Sequence, residues 1–403
     1  MKLQVSIQAT LLSLFIGLVA SQEARAASFS FTRIADTNGP FSSFDNTASI
    51  NNGGTVAFQA NLDARGSGIF TGNGITTTTI ADTNSTFTGF GESSIFGNTY
   101  NINDAGTVAF VADQAVQNQT FSGVFTGNGT TTNTIITTPT SGPNGESIGR
   151  TNSFYSVNIN NAGTVDFGEN VASRVQVFYT SDGTTLNQIF ATQSTLFETT
   201  FNKVGTLAYI YERNQVRTSN PTTTTTIADS RSDGGFISGL SINNQGTAAF
   251  TIRNEGQVLF TSDGTTRTAI ADTSGPFSSF GATAINDANT VAFLGTLDTG
   301  ETGIFAGTNP LTDRVIATGD SLFGSTVTNL AFNNQELNNS GSVAFFAQLA
   351  DGTQGIFRAD LVSSQPTSTV PEPASTLGLI AFGAIGATRV LKRTQKKRIK
   401  LAS

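Results

Sequence analysis

The feature that most constrains the fold is a motif that occurs seven times, an apolar residue followed by Asn-x-x-Gly-Thr-Val-Ala-Phe with variations. Successive motif asparagines lie 41 to 57 residues apart, and they are Asn51, Asn103, Asn160, Asn202, Asn243, Asn286 and Asn338. Repeats of this period predict propeller blades or another array of similar units. An Asn side-chain oxygen readily accepts a hydrogen bond from the backbone two residues on, so we interpret these asparagines as structural turns. A calcium-binding role for the motif is the alternative.

Each repeat predicts a meander of four strands. In the first repeat the strands fall near 46–50, 55–60, 68–71 and 76–81, and Asn73-Gly74 joins the last two. Asn-Gly and Asp-Gly are strong signals for a two-residue hairpin, because both central residues need positive φ. Threonine runs such as Thr76–Thr79 suit half-exposed outer strands, and O-glycosylation of these residues is the alternative.

The two ends of the repeat array complement each other. The seventh repeat has no fourth strand, whereas residues 29–36 match the fourth strand of the other repeats. We therefore predict an all-β, seven-bladed propeller of four-stranded blades that an N-terminal strand closes, in preference to a β-helix or a sandwich.

Phenylalanine supplies the predicted core, since the chain has 32 Phe and no Trp. In the second strands the repeated residues are Phe58, Phe110, Phe167, Phe250, Phe293 and Phe345. In the third strands they are Phe70, Phe125, Phe178, Phe260, Phe305 and Phe357. We expect these rings to pack between neighbouring blades.

Both termini carry export signals. Lys2, the apolar stretch 11–20 and the small residues around Arg25 indicate a secretory signal peptide over residues 1–26. At the other end a Val370, Pro371, Glu372, Pro373 sequence precedes an apolar run over 376–388. The basic residues that follow include Arg389, Lys392, Arg393, Lys396, Lys397 and Arg398.

This C-terminal arrangement resembles the PEP-CTERM sorting signal, which implies processing by an exosortase. The apolar run predicts a short hydrophobic helix of about 20 Å, less than a bilayer core of roughly 30 Å, so we expect a transient inner-membrane anchor. A weak anchor that is never cleaved is the alternative. The predicted domains are the signal peptide 1–26, the propeller 28–362, a linker 363–370 and the sorting segment 371–403. Signal peptidase and exosortase are the expected partners during export.

Charge and composition exclude several functions. Residues 28–370 carry 26 acidic and 12 basic side chains, which gives a charge near −14 and makes nucleic acid a poor partner. The chain has neither Cys nor His, so it lacks thiolate chemistry and the commonest general base. Lys203 is the only lysine of the predicted propeller, which gives lysine chemistry little support.

The repeat, with its Gly-Ile-Phe and Ile-Ala-Asp segments, resembles the tandem-repeat domain of bacterial choice-of-anchor surface proteins. In that family the repeat ends in Trp where this chain has Phe. The resemblance implies display on the cell surface, with no defined reaction.

The predicted ion-binding residues are aspartates near the ends of fourth strands, namely Asp36, Asp82, Asp229, Asp272 and Asp320. They could hold Ca²⁺, the one cofactor considered, or a hydroxyl-rich polymer. Their alternative role is to cap the loops that they open. We assign no catalytic residues, and we predict a non-catalytic adhesion scaffold in the cell envelope or matrix that binds exopolysaccharide or a surface protein. The alternative is a glycan hydrolase or lyase that uses carboxylates among Glu92, Glu146, Asp166 and Glu169.

Overall fold

A computed structural model describes residues 28–91, 98–116, 119–138, 140–141, 147–148, 154–171, 175–194, 196–309 and 312–362. All described residues except Val362 belong to one compact unit, which ends at Leu361. The predicted signal peptide, linker and C-terminal hydrophobic helix lie outside the described residues. Those described residues form strands and turns, and no helix among them is long and apolar enough to cross a membrane.

The described strands form seven blades, each an antiparallel sheet, and the strands of a blade pair in chain order except for the N-terminal strand, which joins blade 7. The first strand of the chain is β1 (Ser28–Asp36). Blade 1 contains β2 (Phe41–Ile50), β3 (Val56–Leu62), β4 (Ser67–Gly72) and β5 (Thr77–Asp82). Blade 2 contains β6 (Phe87–Phe90), β7 (Tyr100–Ile102), β8 (Val108–Val116), β9 (Gln119–Gly127) and β10 (Thr132–Thr137). Its inner strand is in two pieces, because β6 and β7 both pair with β8.

A small ribbon of β11 (Thr140–Ser141) and β12 (Ser147–Ile148) precedes blade 3. Blade 3 contains β13 (Phe154–Ile159), β14 (Val165–Val171), β15 (Val175–Ser181) and β16 (Leu186–Thr192). Blade 4 contains β17 (Leu196–Phe201), β18 (Leu207–Tyr211), β19 (Gln215–Ser219) and β20 (Thr224–Asp229). Blade 5 contains β21 (Phe236–Ile242), β22 (Ala248–Arg253), β23 (Gln257–Ser262) and β24 (Arg267–Asp272).

Blade 6 contains β25 (Phe277–Ile285), β26 (Val291–Leu297), β27 (Thr302–Phe305) and β28 (Arg314–Ala317). Blade 7 contains β30 (Ser325–Ala331), β31 (Val343–Leu349) and β32 (Gln354–Val362), and β29 (Ser321–Leu322) extends it beside β30. Its outermost strand is β1, which pairs with β32. The predicted seven-bladed propeller and its closure by the N-terminal strand are therefore confirmed, and the two ends of the repeat array share one sheet.

The core consists of seven apolar clusters, one at each junction between successive blades of the described chain. At the junction of blades 1 and 2, Phe110 and Phe125 pack on Ala57 and Ile69. The small motif alanine on one blade thus makes room for the aromatic pair of the next. In five blades the second-strand and third-strand Phe lie directly opposite each other, as Phe58 and Phe70 do. Such pairs stabilise a sheet through its cross-strand contacts.

Blade 3 departs from the predicted core pattern. Phe167 lies opposite Tyr179, one residue beyond the expected Phe178. Because a shift of one residue turns a side chain to the other face of a strand, Phe178 faces blade 4, where its ring centroid lies 6.1 Å from that of Phe201. Both rings are buried between neighbouring blades, as predicted, but on opposite faces of blade 3.

The aromatic pairs should carry much of the stability. Phe58 is fully buried and stacks on Phe70 with ring centroids 5.8 Å apart. We expect Phe58→Ala to lower the free energy of unfolding by about 3–5 kcal/mol, because it leaves a cavity at the junction of blades 7 and 1. Urea unfolding followed by circular dichroism measures this. The control is Ile75→Ala at a side chain that is 91% exposed, which should change stability by less than about 0.5 kcal/mol. Equal effects of both substitutions would contradict the assigned core.

Candidate functional site: the axial channel

The first strand of each blade lies innermost and presents one edge to the propeller axis, where no further strand pairs with it except in blade 7, whose β30 pairs at its start with the two-residue β29. Unpaired backbone groups on such an edge need other partners. Two rings of hydrogen bonds between blades, both built from the seven motif turns, join the blades around this axis.

The first ring, called here the Asn ring, consists of the seven motif asparagines. At six junctions the side-chain Nδ2 of one motif asparagine donates to the main-chain oxygen of the next, at 2.9–3.1 Å. At the junction of blades 3 and 4, Asn158 Nδ2 makes the bond to Asn202 O instead, at 3.1 Å. The Oδ1 of every motif asparagine accepts the N–H four residues on, at 2.8–2.9 Å. Each motif asparagine thus holds its own turn, and six of the seven also bind the next blade.

The second ring consists of the residues that directly follow the motif asparagines, namely Asn52, Asp104, Asn161, Lys203, Asn244, Asp287 and Asn339. At six junctions the main-chain N–H of one member donates to Oδ1 of the next, at 2.8–3.0 Å. The remaining link, from Asn161 to Lys203, cannot form because a lysine side chain has no acceptor.

The ammonium group of Lys203 points towards the propeller axis. Its Nζ donates to Asn101 Oδ1, to Ile102 O at 2.8 Å and to Ile159 O at 3.1 Å, and so connects blade 4 with blades 2 and 3. Burial lowers the pKa of Lys203 to about 7, although the Asp104 and Asp166 carboxylates act in the opposite direction. For Asp104 burial raises the pKa, but hydrogen bonds from Asn52 and Asn161 and the Lys203 charge lower it below its usual value.

Asp166 stands in β14 where the other repeats have the small motif alanine. Its side chain is 1% exposed, and Asn158 Nδ2 donates to its Oδ2 at 3.3 Å. Burial raises the pKa of Asp166 to about 6, while hydrogen bonds from Thr180 and Asn158 and the charge of Lys203 act to lower it. Blades 3 and 4 therefore enclose an acid and a base whose pKa values both lie near neutrality.

The channel contains two cavities. The Asn-ring cavity of about 120 Å³ lies at the motif turns and includes Lys203, Asp104 and Asp287 in its lining. The bulge cavity of about 380 Å³ lies nearer the starts of the inner strands of blades 4 to 6. Asn334 lines both cavities. Its side chain accepts from Asn98 Nδ2 at 3.0 Å and donates to Leu240 O at 3.1 Å, so it links blades 2, 5 and 7.

The bulge cavity takes its name from β-bulges in three inner strands, where the register shifts at Phe197/Thr199, Ser238/Ser241 and Phe280/Thr283. Glu198 and Gly239 at two of these bulges have positive φ, 41° and 69°. At Gly239 a Cβ would lie 2.7 Å from Gly281 O, so only glycine fits there. Bulges often re-aim side chains beside binding sites.

Two charged side chains line this cavity. Arg253 donates through Nε to Ser238 Oγ at 2.8 Å and through Nη2 to Phe280 O at 2.6 Å. Glu198 Oε2 accepts the Leu240 N–H at 2.8 Å. These hydrogen bonds hold both side chains in place. Within the described part of the chain neither residue forms an ion pair, so both charges remain available to a ligand.

The aspartates predicted to bind ions lie far from this channel, at the outer strands. Asp36, Asp82, Asp229 and Asp272 end β1, β5, β20 and β24, and each accepts the N–H two residues on at 2.9–3.1 Å. Asp320 accepts the Ala317 N–H at 2.7 Å and pairs with Arg314. The structure does not bring these five residues together, and in the described ranges no group of three or more acidic side chains is placed to hold a metal ion. Calcium binding there stays a prediction.

Of the carboxylates considered for catalysis, Glu92 and Glu146 lie outside the described residues. Asp166 and Glu169 are both buried in β14. The sequence interpretation did not find Glu198 or Arg253, because neither stands in a repeated motif. Lys203 carried a usable signal, since it interrupts a position that is Asn or Asp in the other six repeats.

Comparisons with known proteins place the chain in a class. Residues 369–393 match the PEP-CTERM protein-sorting motif, which confirms the predicted sorting signal. The chain is therefore an exported, cell-envelope-associated β-propeller protein that an exosortase processes. Residues 12–184 match a family of unknown function (DUF7453). Neither match is to the choice-of-anchor proteins, so that resemblance stays a prediction. No curated protein matches the sequence.

Two solved structures show a similar fold. An oligogalacturonate lyase from Vibrio parahaemolyticus has a TM-score of 0.50 at 11% identity, over 85% of this chain and 99% of the lyase. A puromycin-hydrolyzing peptidase of Mycobacterium tuberculosis has a TM-score of 0.51 at 11% identity, over 84% of this chain and 56% of the peptidase. At such identities the likeness concerns the propeller fold alone.

The Asn ring can be tested with a substitution that removes only the donor. Asn286→Asp keeps the Oδ1 acceptor of the turn but loses the Nδ2 bond to Asn338 O. We expect the free energy of unfolding to fall by about 1–3 kcal/mol, because a buried carbonyl then faces a carboxylate. The control is Asn128→Asp in an exposed hairpin, where Oδ1 accepts from Thr130 and Thr131 and equivalent hairpins have Asp182 and Asp263. A loss of equal size in both variants would show that the bond between blades contributes nothing.

The buried acid and base should leave a signature in pH dependence. The folded pKa of Lys203, about 7, lies below 10.5, so its contribution to stability rises with pH between those values. The folded pKa of Asp166, about 6, lies above 3.8, so its contribution falls as pH rises through that window. The combined contribution of these two groups to stability is therefore lowest near pH 6–7.

The double variant Asp166→Ala with Lys203→Asn restores the residues typical of the repeat. We expect its gain in unfolding free energy over the unchanged protein to be greatest at pH 6–7, about 1–2 kcal/mol, because both buried charges are gone. Urea titrations from pH 4 to about 9 measure this difference. A double variant that is less stable than the unchanged protein at pH 6–7 would mean that Asp166 and Lys203 together favour folding.

Proposed function

We propose that the protein is a non-catalytic binding scaffold of the cell envelope and that the bulge cavity holds a segment of exopolysaccharide. The observation that carries the proposal is the chemistry of this cavity at the propeller axis. Its volume of about 380 Å³ lies within the range of roughly 300–1,000 Å³ that is usual for ligand sites.

The lining favours a hydroxyl-rich ligand. It combines amides of Asn98, Asn333 and Asn334 with hydroxyls of Thr199, Ser238 and Thr283. The lining therefore contains both donors and acceptors, as recognition of a sugar ring with several hydroxyls requires. Arg253 adds a fixed guanidinium, which suits an acidic substituent on the glycan.

Export supports the same proposal. The PEP-CTERM motif directs the chain to the envelope, which is where a protein can contact exopolysaccharide. We further propose that the apolar segment before the basic tail anchors the chain in the inner membrane only until exosortase acts. The propeller is then released into the matrix with its cavity accessible.

Retention on glycan tests the proposal. We expect the full chain to be retained on beads coated with the exopolysaccharide of the producing cell. Arg253→Gln and Glu198→Gln should each weaken retention about tenfold, because each removes a charge-assisted hydrogen bond. Adding a calcium chelator distinguishes direct binding from binding through the outer aspartates, since direct binding survives it.

Matched controls are Arg65→Gln and Glu255→Gln, at exposed positions outside the bulge cavity. They should leave retention unchanged. No retention of the unchanged protein would reject glycan as the ligand, whereas retention that the cavity variants leave intact would reject the cavity as the site.

Catalysis on glycans is the second candidate, and the observation that favours it is Glu198, which shares the cavity with Arg253. A carboxylate can act as a general base, and an arginine can neutralise a substrate carboxylate. Hydrolysis by two carboxylates needs a second carboxyl within about 5–10 Å, and Glu198 is the one acidic residue of the described lining. Binding is therefore the stronger proposal. Release of reducing or unsaturated ends from the retained polysaccharide, lost in Glu198→Gln, would establish the enzyme instead.

A further inference from the structure

The Asn-ring cavity is surrounded by main-chain oxygens. Each motif asparagine donates its main-chain N–H to the oxygen four residues on, as Asn51 does to Thr55 at 3.0 Å, which makes that cross-strand pair hydrogen-bonded. Hydrogen-bonded and non-hydrogen-bonded pairs alternate along an antiparallel ladder. The residue before each asparagine, such as Ile50 opposite Val56, is therefore in a non-hydrogen-bonded pair. Its carbonyl points away from the second strand and towards the axis.

The seven residues with this geometry are Ile50, Ile102, Ile159, Phe201, Ile242, Ile285 and Leu337. The ammonium of Lys203 donates hydrogen bonds to two of these carbonyls, those of Ile102 and Ile159. Neither of these two residues lines the cavity, whereas the other five all do. The cavity is thus the part of the carbonyl ring that Lys203 leaves uncovered.

A side-chain acceptor adds to this set. Gln335 lines the cavity, and its Oε1 is a buried oxygen without a hydrogen-bond partner. Buried polar atoms in native proteins nearly always have a partner, so an unmatched acceptor here points to a missing donor or cation. The cavity therefore offers many acceptors and needs a positive or donating occupant.

We propose that the Asn-ring cavity is a binding site for a monovalent cation of the potassium or ammonium class, held by these carbonyls and Gln335 Oε1 together with water. Lys203 is the internal precedent, because its ammonium is itself a monovalent cation bound by two carbonyls of the same ring. A volume of about 120 Å³ has room for such an ion with several waters.

The charges of the site favour a monovalent ion over Ca²⁺. Calcium sites usually include carboxylate ligands. Both oxygens of Asp104 and of Asp287 already accept hydrogen bonds from asparagines of the second ring. What remains for the ion is a set of neutral oxygens, the type of ligand that potassium pores use.

Calorimetric titration of the full chain in mild detergent tests the site with potassium, ammonium and calcium chlorides. Choline chloride at equal ionic strength is the control for screening, because the methyl groups of choline keep its charge out of close contact with carbonyl oxygens. We expect saturable binding of potassium or ammonium, accompanied by a higher melting temperature. Binding of calcium alone, or identical behaviour with choline, would overturn the proposal.

Two variants should change affinity in opposite directions, which a damaged fold would not do. Lys203→Gln removes a like charge and uncovers two carbonyls, so affinity should rise on the order of tenfold. Gln335→Met removes one acceptor at similar volume, so affinity should fall about threefold or more. The matched control is Gln59→Met, since Gln59 Oε1 is also buried without a partner but lies outside the cavity. A weaker site in Lys203→Gln, or equal losses in Gln335→Met and Gln59→Met, would reject the assignment.

Discussion

The inner edge of the blades, which no further strand pairs at the motif turns, is the constraint on which the rest of this propeller depends. A motif asparagine meets it with two groups, because Oδ1 closes the turn while Nδ2 reaches the next blade. An ionised Asp could not do both, because its carboxylate has no donor. The glycine three residues later completes the turn with positive φ, and its one replacement, Asn289, adopts φ 60° and accepts a second bond from Asn243. The same asparagines therefore close the turns and join neighbouring blades into a ring.

The sequence was sufficient for the number of blades, their four strands and the closing role of residues 29–36, because these follow from periodic local patterns. It was not sufficient for the two rings, whose bonds join residues 41 to 57 positions apart, or 287 at the closing junction, and depend on the angle between blades. Blade 3 shows a second limit. There Phe178 and Tyr179 are adjacent aromatics, and only packing decides which of them faces Phe167.

The candidate sites lie where the repeats differ. Lys203 stands where the other repeats have Asn or Asp, and Asp166 stands where they have alanine. The buried Glu336 holds residues 333–336 against blade 1 by accepting the Ala48 N–H at 2.7 Å. Burial raises the pKa of Glu336 well above its usual value. Buried ionisable groups cost stability unless they are paired. The repeat motif itself places Ala, Asn or Asp at the positions of Asp166 and Lys203, so these two residues are departures from the motif.

Placing polar sites on the axis also links them to closure of the ring. The bulge cavity receives residues from blades 2, 4, 5, 6 and 7, so it exists only when the N-terminal strand has completed the last blade. A ligand that binds there favours the closed ring over any opened form by mass action. The chain has no disulfides to hold such a ring in the oxidising space outside the cell. Because Asn334 contacts both cavities, an ion at the motif turns and a glycan at the bulges would stabilise the same closed arrangement.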